Sequence, residues 1–486
     1  MRIKAFVLHF IFATTSLQAW GQALISGEMR FNIGEYAQTN LTDTAIIFPK
    51  FSSKVALKGL NFWLTGQIGA DTLGVFTNIF SNRTDWTRGP SSADGLSHIS
   101  SWPRSWKVNQ SEIRNHLLSY MNQGYTPPKD FISWPSKVNA TGFPSLLAGF
   151  VDYDNNGSYN SASGDYPYVL GEENVLIVAT DSFIKGSYKN KPFPVDATVL
   201  FYSKEEEKNV VFGRLTICNR SLSNISNLRF SSVLDGQIGE AFDDAMSTHI
   251  DLNAISIYNG QSIDAIYGVN WPAISMVFLN RKLASSVYTK NNSSNVFGPA
   301  NTNIEFYNYA HAKWLSGKNV TYGGSGVDGT ISTNYIYTGY SDTIGGKAPW
   351  FDNVDIGKRT IIASSEDINI ISGDCKIVDF ALVLSENAPN YSDIRSNVKS
   401  VIDFYAEQGY NLDLQQVYSK KAVSNTLVVQ SGGDLGLGDD YLYLFNLNGQ
   451  LMSQGNSCKA PLNAGLYLIK FKDLPSQMAV KLLVTN

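Results

Sequence analysis

Four short apolar segments decide the fold: Val175–Thr180 (VLIVAT), Thr198–Tyr202 (TVLFY), Val210–Cys218 (VVFGRLTIC) and Leu228–Leu234 (LRFSSVL). Each segment is continuously apolar or alternates apolar with polar residues, and polar turn segments separate them. Segments of this length and pattern are typical of β-strands that are buried on one or both faces. The four segments therefore predict an antiparallel sheet or sandwich.

The composition of the whole chain favours the same fold class. Its 486 residues are 43% hydrophobic, 16% charged and 12% aromatic, a balance that suits short strands joined by polar turns. Further strand patterns follow at Ala254–Tyr258, Ile274–Phe278, Arg359–Ala363 and Lys376–Leu384. We predict a mainly β protein, with an antiparallel β-sandwich-like main region, a few short helices and a small C-terminal β-sandwich.

Two segments have the residue spacing of amphipathic helices. Asn109 is a good N-cap with Glu112 three residues later, which predicts a helix over residues 110–121. A second helix is predicted over residues 393–408, with Ser392 as its cap.

Aromatic and turn-rich stretches complete the main region. Residues 285–346 are rich in Asn, Ser, Gly and Tyr, which predicts a long surface excursion. Trp102, Trp106 and Trp134 flank the first predicted helix. Such aromatic residues can form a platform for sugars, but in a β-rich chain they more often belong to the core, and we favour the core.

The first residues, Met1–Gly21, have the pattern of a secretory signal peptide: a basic start, the apolar run Ala5–Phe12 and then small residues. We predict cleavage before Gln22, with cleavage after Ala19 as the alternative. The apolar run is too short to span a bilayer, and no later segment has about 18 uninterrupted apolar residues. No transmembrane segment is therefore predicted.

Charge argues against one class of partner. The formal net charge is −4, and no basic stripe is present. Because clustered Lys and Arg drive binding to phosphate backbones, we predict no nucleic-acid partner.

Three cysteines, Cys218, Cys375 and Cys458, leave at least one thiol outside any intramolecular pair. A Cys218–Cys375 disulfide is possible in an exported protein, but the sequence does not place the two residues within bonding distance. Three small, separately packed cysteines are the slightly favoured interpretation.

A loop at Phe150–Pro167 (FVDYDNNGSYNSASGDYP) concentrates side-chain oxygen atoms. Asp152, Asp154 and Asn156 alternate and Gly157 follows, which resembles the first half of an EF-hand loop. The pattern then departs from the EF-hand, because Ser163 stands where a glutamate is expected.

We predict a calcium site in this loop, with Asp165 as the replacement carboxylate and Ser158 contributing its backbone carbonyl. The predicted ligands are Asp152, Asp154, Asn156, Ser158, Asn160 and Asp165. The alternative is a turn rich in Asn and Asp whose side chains cap their own backbone.

A second acidic segment runs from Asp235 to Asp251 and includes Asp243 and Asp244. A solvated turn is the favoured interpretation. A second cation site comes next, and a pair of carboxylates for glycoside cleavage comes last.

The C-terminal residues alternate apolar with polar side chains in three pieces that predict strands, Tyr441–Phe445, Leu466–Phe471 and Ala479–Val484. Leu444–Leu451, Leu462–Lys470 and Lys481–Val484, with turn signals at Asn448-Gly449 and Asn463-Ala464-Gly465, resemble the C-terminal sorting domain (type A) of type IX secretion substrates. The resemblance implies export across the inner membrane, passage through the type IX secretion machinery, and an extracellular or outer-cell-surface location.

A broader set of motifs extends through the main region. In order, they are Trp106-Lys107-Val108, Trp134-Pro135, Asp152 to Gly157, Gly164-Asp165-Tyr166-Pro167, Asn219-Arg220-Ser221, Asp243-Asp244, Tyr258-Asn259-Gly260, Trp271-Pro272-Ala273, Gly323-Gly324 and Gly357-Lys358-Arg359. This order resembles a family of large secreted proteins that carry type IX sorting domains and have no assigned activity. The resemblance offers no catalytic residues.

The predicted division of the chain has five parts: a signal peptide (1–21), an N-terminal β-rich region (22–149), a central β-sandwich-like region (150–410), a linker (411–424) and the sorting domain (425–486). The functional prediction is a calcium-stabilised adhesion or surface-interaction protein whose ligand is a surface glycan or protein. The alternative is an extracellular hydrolase acting on polysaccharide or protein.

Overall fold

The structure is a computed structural model. It describes residues 22–34, 44–77, 80, 84–91, 102, 105–136, 147–181, 191–292, 294–342, 348–353, 356–388 and 391–408, and five C-terminal strands between residues 426 and 485. The predicted signal peptide, the linker at 411–424, Cys458 and the turn signals at Asn448-Gly449 and Asn463-Ala464 lie outside the described residues.

The described strands and helices are, in chain order, β1 (Ala23–Ser26), β2 (Met29–Asn32), β3 (Ile46–Ile47), β4 (Val55–Leu57), β5 (Gly59–Ile68), β6 (Asp71–Val75), β7 (Thr87–Arg88), β8 (Trp106–Asn109), α1 (Gln110–Ser119), α2 (Lys129–Ile132), β9 (Phe150–Val151), β10 (Tyr166–Pro167), β11 (Glu173–Thr180), β12 (Val195–Lys204), β13 (Glu207–Asn219), β14 (Ile225–Asp235), β15 (Asp244–His249), β16 (Ala254–Asn259), β17 (Ala273–Phe278), β18 (Leu283–Thr289), α3 (Asn303–Ala310), β19 (Thr360–Ser365), β20 (Ile368–Ile370), β21 (Cys375–Ser385), α4 (Tyr391–Glu407), β22 (Thr426–Gln430), β23 (Leu442–Asn446), β24 (Leu451–Gly455), β25 (Gly465–Phe471) and β26 (Ala479–Thr485). The protein is mainly β with few helices, which confirms the predicted fold class. None of the helices in this part of the chain is long and apolar enough to cross a bilayer.

Backbone contacts divide the chain into two compact units. The first comprises Met1–Glu112, Val138–Leu147 and Val169–Tyr410, and the second comprises Ile113–Lys137, Ala148–Tyr168 and Asn411–Asn486.

The larger sheet of the first unit is antiparallel and, within the described ranges, has nine strands. Its order is β15-β16-β17-β21-β13-β12-β11-β7, and β8 also pairs with β11. The four apolar segments from which the fold was predicted become β11, β12 and β13 in this sheet and β14 in the facing one. Long, nearly continuous apolar runs suit these positions because the strands are covered on both faces.

The core of the first unit lies between two sheets. The second sheet has the order β18-β19-β14-β5-β6, with β20 also pairing with β14. Phe62 of this sheet packs against Phe201 and Phe380 of the larger sheet, with ring centroids 6.3 and 5.3 Å away. The shared apolar layer makes this unit a β-sandwich.

Gly213 makes room for this aromatic layer. It lies opposite Phe201 on one neighbouring strand and Phe380 on the other. A Cβ atom on Gly213 would lie 2.2 Å from the Phe380 ring, so any side chain here would displace the ring. The glycine interrupts an apolar strand because the aromatic ring occupies its side-chain space.

A buried ion pair lies on the outer face of the larger sheet. Arg214 of β13 donates two hydrogen bonds of 2.7 Å to Asp379 of β21. The Tyr405 hydroxyl of α4 donates to the same carboxylate at 2.6 Å. Helix α4 also buries Ile394 and Val398, so it covers this face with both apolar and polar contacts.

The two predicted helices that fall in described segments are present with shifted ends. In α1, Asn109 Oδ1 accepts the Glu112 N–H at 2.9 Å, and Glu112 Oε2 accepts the Asn109 N–H at 3.1 Å, which is a capping box. Helix α4 begins at Tyr391, so Ser392 lies inside the helix and is not its cap.

The predicted surface excursion at 285–346 is wrong. The segment contains most of β18 and all of α3, and it contributes the buried rings of Tyr288, Trp314 and Tyr337 to the core. The rings bury their apolar bodies, while the Tyr288 hydroxyl donates to Ser325 O at 3.2 Å and Trp314 Nε1 donates to Gly326 O at 2.9 Å. A polar composition therefore did not make this segment a surface loop.

Cys218 and Cys375 form a disulfide, so the slightly favoured interpretation of separate cysteines is wrong. The two residues lie directly opposite each other on β13 and β21. Strand pairing thus brings together two cysteines that are 157 residues apart in sequence. For the tryptophans, Trp106 and Trp134 are buried, which confirms the core interpretation for these two.

The C-terminal strands of the second unit form one sheet with the order β22-β26-β25-β23-β24 in the part that the structure describes. Strands β23, β25 and β26 match the three predicted pieces. The sheet is antiparallel except where β22 runs parallel to β26.

Candidate metal centre

Residues 150–167 form a closed loop in the second unit. At its ends β9 and β10 pair antiparallel, with Val151 opposite Tyr166. Asp152 directly follows the first of these strands, and Asp165 directly precedes the second. The short ladder therefore brings two carboxylates together that are 13 positions apart in the chain.

The first half of the loop turns around Asp152. Its carboxylate accepts the N–H groups of Asn156 at 3.1 Å and Gly157 at 2.7 Å. Asn155 and Gly157 have φ values of 57° and 79°, a left-handed conformation that Asn and Gly adopt at low cost. Asp154 also accepts the Asn156 N–H, at 3.2 Å, so both carboxylates lie beside the same turn.

Asp165 connects the two halves of the loop. Its Oδ1 accepts the Tyr153 N–H and its Oδ2 accepts the Asn160 N–H, each at 2.7 Å. The side chain is fully buried, with 0% of its surface exposed. Burial and the two hydrogen bonds together hold the Asp165 carboxylate in one position.

The three carboxylates converge. One oxygen each from Asp152, Asp154 and Asp165 lies within 4.8 Å of the others. Two oxygens on opposite sides of one calcium ion lie about 5 Å apart, since each bond is about 2.3–2.6 Å long. Among the described residues, no salt bridge joins a Lys or Arg to any of the three.

The electrostatics of Asp165 reflect this crowding. Burial raises the pKa of Asp165 above its ordinary value, and the Asp154 and Asp152 carboxylates raise it further. The N–H groups of Asn160 and Tyr153 lower the pKa and offset part of this rise. A cation bound between the carboxylates would attract each of them and so outweigh their mutual repulsion.

The other predicted ligands are engaged within the loop. Asn156 Oδ1 accepts the Ser158 N–H at 2.7 Å, and Asn160 Oδ1 accepts the Ala162 N–H at 3.1 Å. These are the turns of the alternative, backbone-capping interpretation. Each amide oxygen keeps a second lone pair, so Asn156, Asn160 and the exposed Ser158 stay predictions as ligands.

Aromatic side chains support the loop. The Tyr159 hydroxyl donates to the Phe131 carbonyl at 2.7 Å, and the rings of Tyr120 and Tyr153 meet edge to face at 5.5 Å. Behind them His116 is fully buried, and its Nδ1 lies 3.1 Å from the Tyr125 hydroxyl. Burial lowers the His116 pKa, so this support is uncharged at neutral pH.

The second acidic segment is not a solvated turn, contrary to the favoured interpretation. Asp235 ends β14, Asp244 begins β15, and both are buried together with Asp243. Asp251 alone of the four is exposed, and it pairs with Arg395 at 2.6 Å. The Thr360 hydroxyl donates to the Asp235 carboxylate at 3.3 Å, and the Asp244 carboxylate accepts a backbone N–H.

Asp244 illustrates this arrangement. Its carboxylate accepts the Ile238 N–H at 3.2 Å. Burial raises the pKa of Asp244 to about 8, and Asp243, Asp264 and Glu240 add to the rise, although the Ile238 N–H lowers it. Asp243 Oδ1 is buried and makes no hydrogen bond within the described part of the chain.

Sequence reasoning missed a further set of polar residues. A cavity of about 380 Å³ in the first unit is lined by side chains that include Asn319, Asn334 and Asp342. They belong to the stretch that was interpreted as a surface excursion, and their spacing matches no motif. No local signal could have identified them, because the fold brings them together.

No family model matches the chain, and no curated protein matches it. Among solved structures, a polysaccharide lyase is 9% identical over 64% of this chain and 35% of its own, with a TM-score of 0.22. A copper-containing benzylamine oxidase from Hansenula polymorpha is 8% identical over 81% of this chain and 64% of its own, with a TM-score of 0.27. The chain thus spans less than two thirds of either protein, and likenesses this low carry no argument about activity.

Proposed function

We propose that the chain is a secreted or cell-surface protein, exported by the type IX secretion system, that is stabilised by calcium and acts in adhesion or surface interaction. The observation that carries the calcium proposal is the convergence of Asp152, Asp154 and Asp165 within 4.8 Å.

Calcium fits this group for three reasons. The donors are hard oxygen ligands, which calcium prefers. Asp165 is held in place by two backbone N–H groups before any ion binds. Burial raises the pKa of Asp165 and the nearby carboxylates raise it further, and a divalent cation would relieve the repulsion among the carboxylates. Carbonyl oxygens of the loop and water would complete the coordination.

Export has separate support. The Cys218–Cys375 disulfide is of the kind that persists in oxidising compartments. The pairing of β23, β25 and β26 in one sheet is compatible with a folded C-terminal domain. The signal peptide and the sorting role themselves remain predictions from the sequence.

The calcium proposal is tested by hydrogen exchange and thermal melting of the mature protein with calcium and with a chelator. A ligand that binds only the folded state at about 100 times its Kd stabilises that state by about 2.7 kcal/mol. We expect slower exchange of amides at 150–167 with calcium, and loss of that protection in Asp154→Asn.

Asp328→Asn is the matched control, because Asp328 is an exposed aspartate outside the loop. It should keep the full calcium response. Equal exchange rates at 150–167 with calcium and with chelator would rule out the site.

Export is tested by deleting residues 425–486 in a host with a functional type IX system. We expect the truncated protein to accumulate inside the cell while the full chain reaches the surface or medium. Normal appearance of the truncated protein outside the cell would contradict the sorting proposal.

An extracellular hydrolase is the alternative function. Its candidate carboxylates, Asp243 and Asp244, are both buried, whereas a glycoside-cleaving pair must contact the substrate. Adhesion or surface interaction is therefore placed first. Turnover of a polysaccharide or protein substrate that is lost in both Asp243→Asn and Asp244→Asn would overturn this order.

A further inference from the structure

The cavity of the first unit has the size of a small-molecule site. It lies between Ile250, which follows β15, and the segment 311–342. Its volume of about 380 Å³ falls near the lower end of the range for ligand pockets, about 300–1,000 Å³. A small ligand fits this volume, and a protein domain does not.

Unpaired polar groups line the cavity. Asn319, Ser332 and Asn334 are exposed, and their side chains make no hydrogen bond with the described part of the chain. Each amide offers two donors and an oxygen acceptor, and the hydroxyl offers both functions. The Tyr335 hydroxyl donates to the Leu283 carbonyl at 3.0 Å, which fixes this aromatic side chain in the wall.

The charge of the lining disfavours anions. No Lys or Arg occurs among the lining residues that the structure describes. His311 Nδ1 donates to the Tyr307 carbonyl at 2.8 Å, and burial lowers the His311 pKa to about 4, with Arg229 adding to the effect. The imidazole is therefore neutral at pH 7, while Asp342 supplies a carboxylate.

Part of the cavity wall is held in an uncommon backbone conformation. Ala312 has a φ of 55°, which is costly for a residue with a Cβ atom. The Val320 N–H donates to the Ala312 carbonyl at 3.1 Å and helps to hold this conformation. The wall is thus formed before a ligand arrives.

We propose that this cavity binds a neutral polyhydroxylated ligand, with the chemistry of one or two sugar residues. Each sugar hydroxyl both donates and accepts, so it can pair with the amides of Asn319 and Asn334 and with the Ser332 hydroxyl. The apolar face of a sugar ring would lie against Tyr335. The inference rests on the proposed surface-interaction function and gives it a saccharide as ligand.

The test is titration of the mature protein by saturation-transfer NMR and calorimetry. The probes are glucose, galactose, mannose, N-acetylglucosamine, lactose and glucuronate. We expect saturable binding of at least one neutral sugar. The double variant Asn319→Ala with Asn334→Ala should weaken that binding at least tenfold, because it removes two hydrogen-bonding amides.

Asn397→Ala is the matched control, because Asn397 is an exposed asparagine on α4 that does not line the cavity. It should bind as the unchanged protein does. Circular dichroism checks that the double variant is folded, which its exposed positions favour. No saturable binding of a neutral sugar, equal binding by the double variant, or preference for glucuronate would overturn the proposal.

The sugar and calcium tests fail independently. The titration concerns residues of the first unit, and amide exchange at 150–167 concerns the second. If calcium protection fails but a neutral sugar binds, the cavity proposal stands without the metal centre.

Discussion

Replacing Asp244 with Asn should remove a large part of the pH dependence of stability in the first unit. Asp244 is 4% exposed, and burial raises its pKa to about 8. Asp243, Asp264 and Glu240 add to that rise. Asn has the same shape and still offers an oxygen to the Ile238 N–H, but it does not ionise.

The sign follows from the two pKa values. In an unfolded chain Asp titrates near pH 3.9, whereas in the folded protein Asp244 titrates near 8. The folded state therefore holds the proton more tightly than the unfolded state does. The stabilisation that this proton supplies is complete below about pH 4, decreases as the pH rises, and is lost once the pH has risen through 8. At 1.36 kcal/mol for each pKa unit, the loss between pH 5 and 8 is about 3–4 kcal/mol.

Urea unfolding followed by circular dichroism at pH 5 and pH 8 measures this loss. The measured quantity is the free energy of unfolding of Asp244→Asn minus that of the unchanged protein. This difference should be about 3–4 kcal/mol larger at pH 8 than at pH 5. Asp328→Asn changes an exposed aspartate and should show the same pH dependence as the unchanged protein. Stability curves for Asp244→Asn and the unchanged protein that stay parallel within about 1 kcal/mol would refute the reasoning.

Two further predictions concern β13 and β21. The double variant Cys218→Ser with Cys375→Ser should lower the free energy of unfolding by about 2–5 kcal/mol, because the disulfide closes a long loop in the unfolded chain. Unfolding in urea with and without reductant measures this loss. If reductant did not change the stability of the unchanged protein, the prediction would be contradicted. Asp379→Asn should cost about 3–5 kcal/mol, because it leaves the buried Arg214 without its carboxylate partner. The paired change Arg214→Met with Asp379→Leu should cost less, and a paired cost equal to or above the single one would show that burial of an uncompensated charge is not the cause.

Strands were predictable from the sequence where residue type alone indicates whether a position is buried. In β12 and β13 apolar residues mark positions covered on both faces, so the pattern alone located the strands. The capping box of Asn109 and Glu112 is equally local, because both partners lie within one turn. The proximity of Asp152, Asp154 and Asp165 was accessible for the same reason, since the three carboxylates lie within 14 residues of each other. Their role as calcium ligands stays a prediction.

The misses share a different cause. Tyr288 and Trp314 lie in polar surroundings along the chain, yet the fold places their rings against each other at a centroid distance of 5.4 Å. Asp243 and Asp244 look like surface residues in sequence, but their environment comes from turns distant in the chain, such as that of Asp264. The type of a residue can be read from the sequence, whereas its burial depends on partners that only the folded chain brings near.

The position of β21 has a consequence for the order of folding. This strand pairs with β17 on one side and with β13 on the other, so it joins the two halves of the nine-stranded sheet. Until Cys375–Ser385 has been synthesised, both halves present unpaired strand edges to other chains. The sandwich therefore closes late, through contacts between segments far apart in sequence, and a chaperone that covers those open edges would favour its assembly over aggregation.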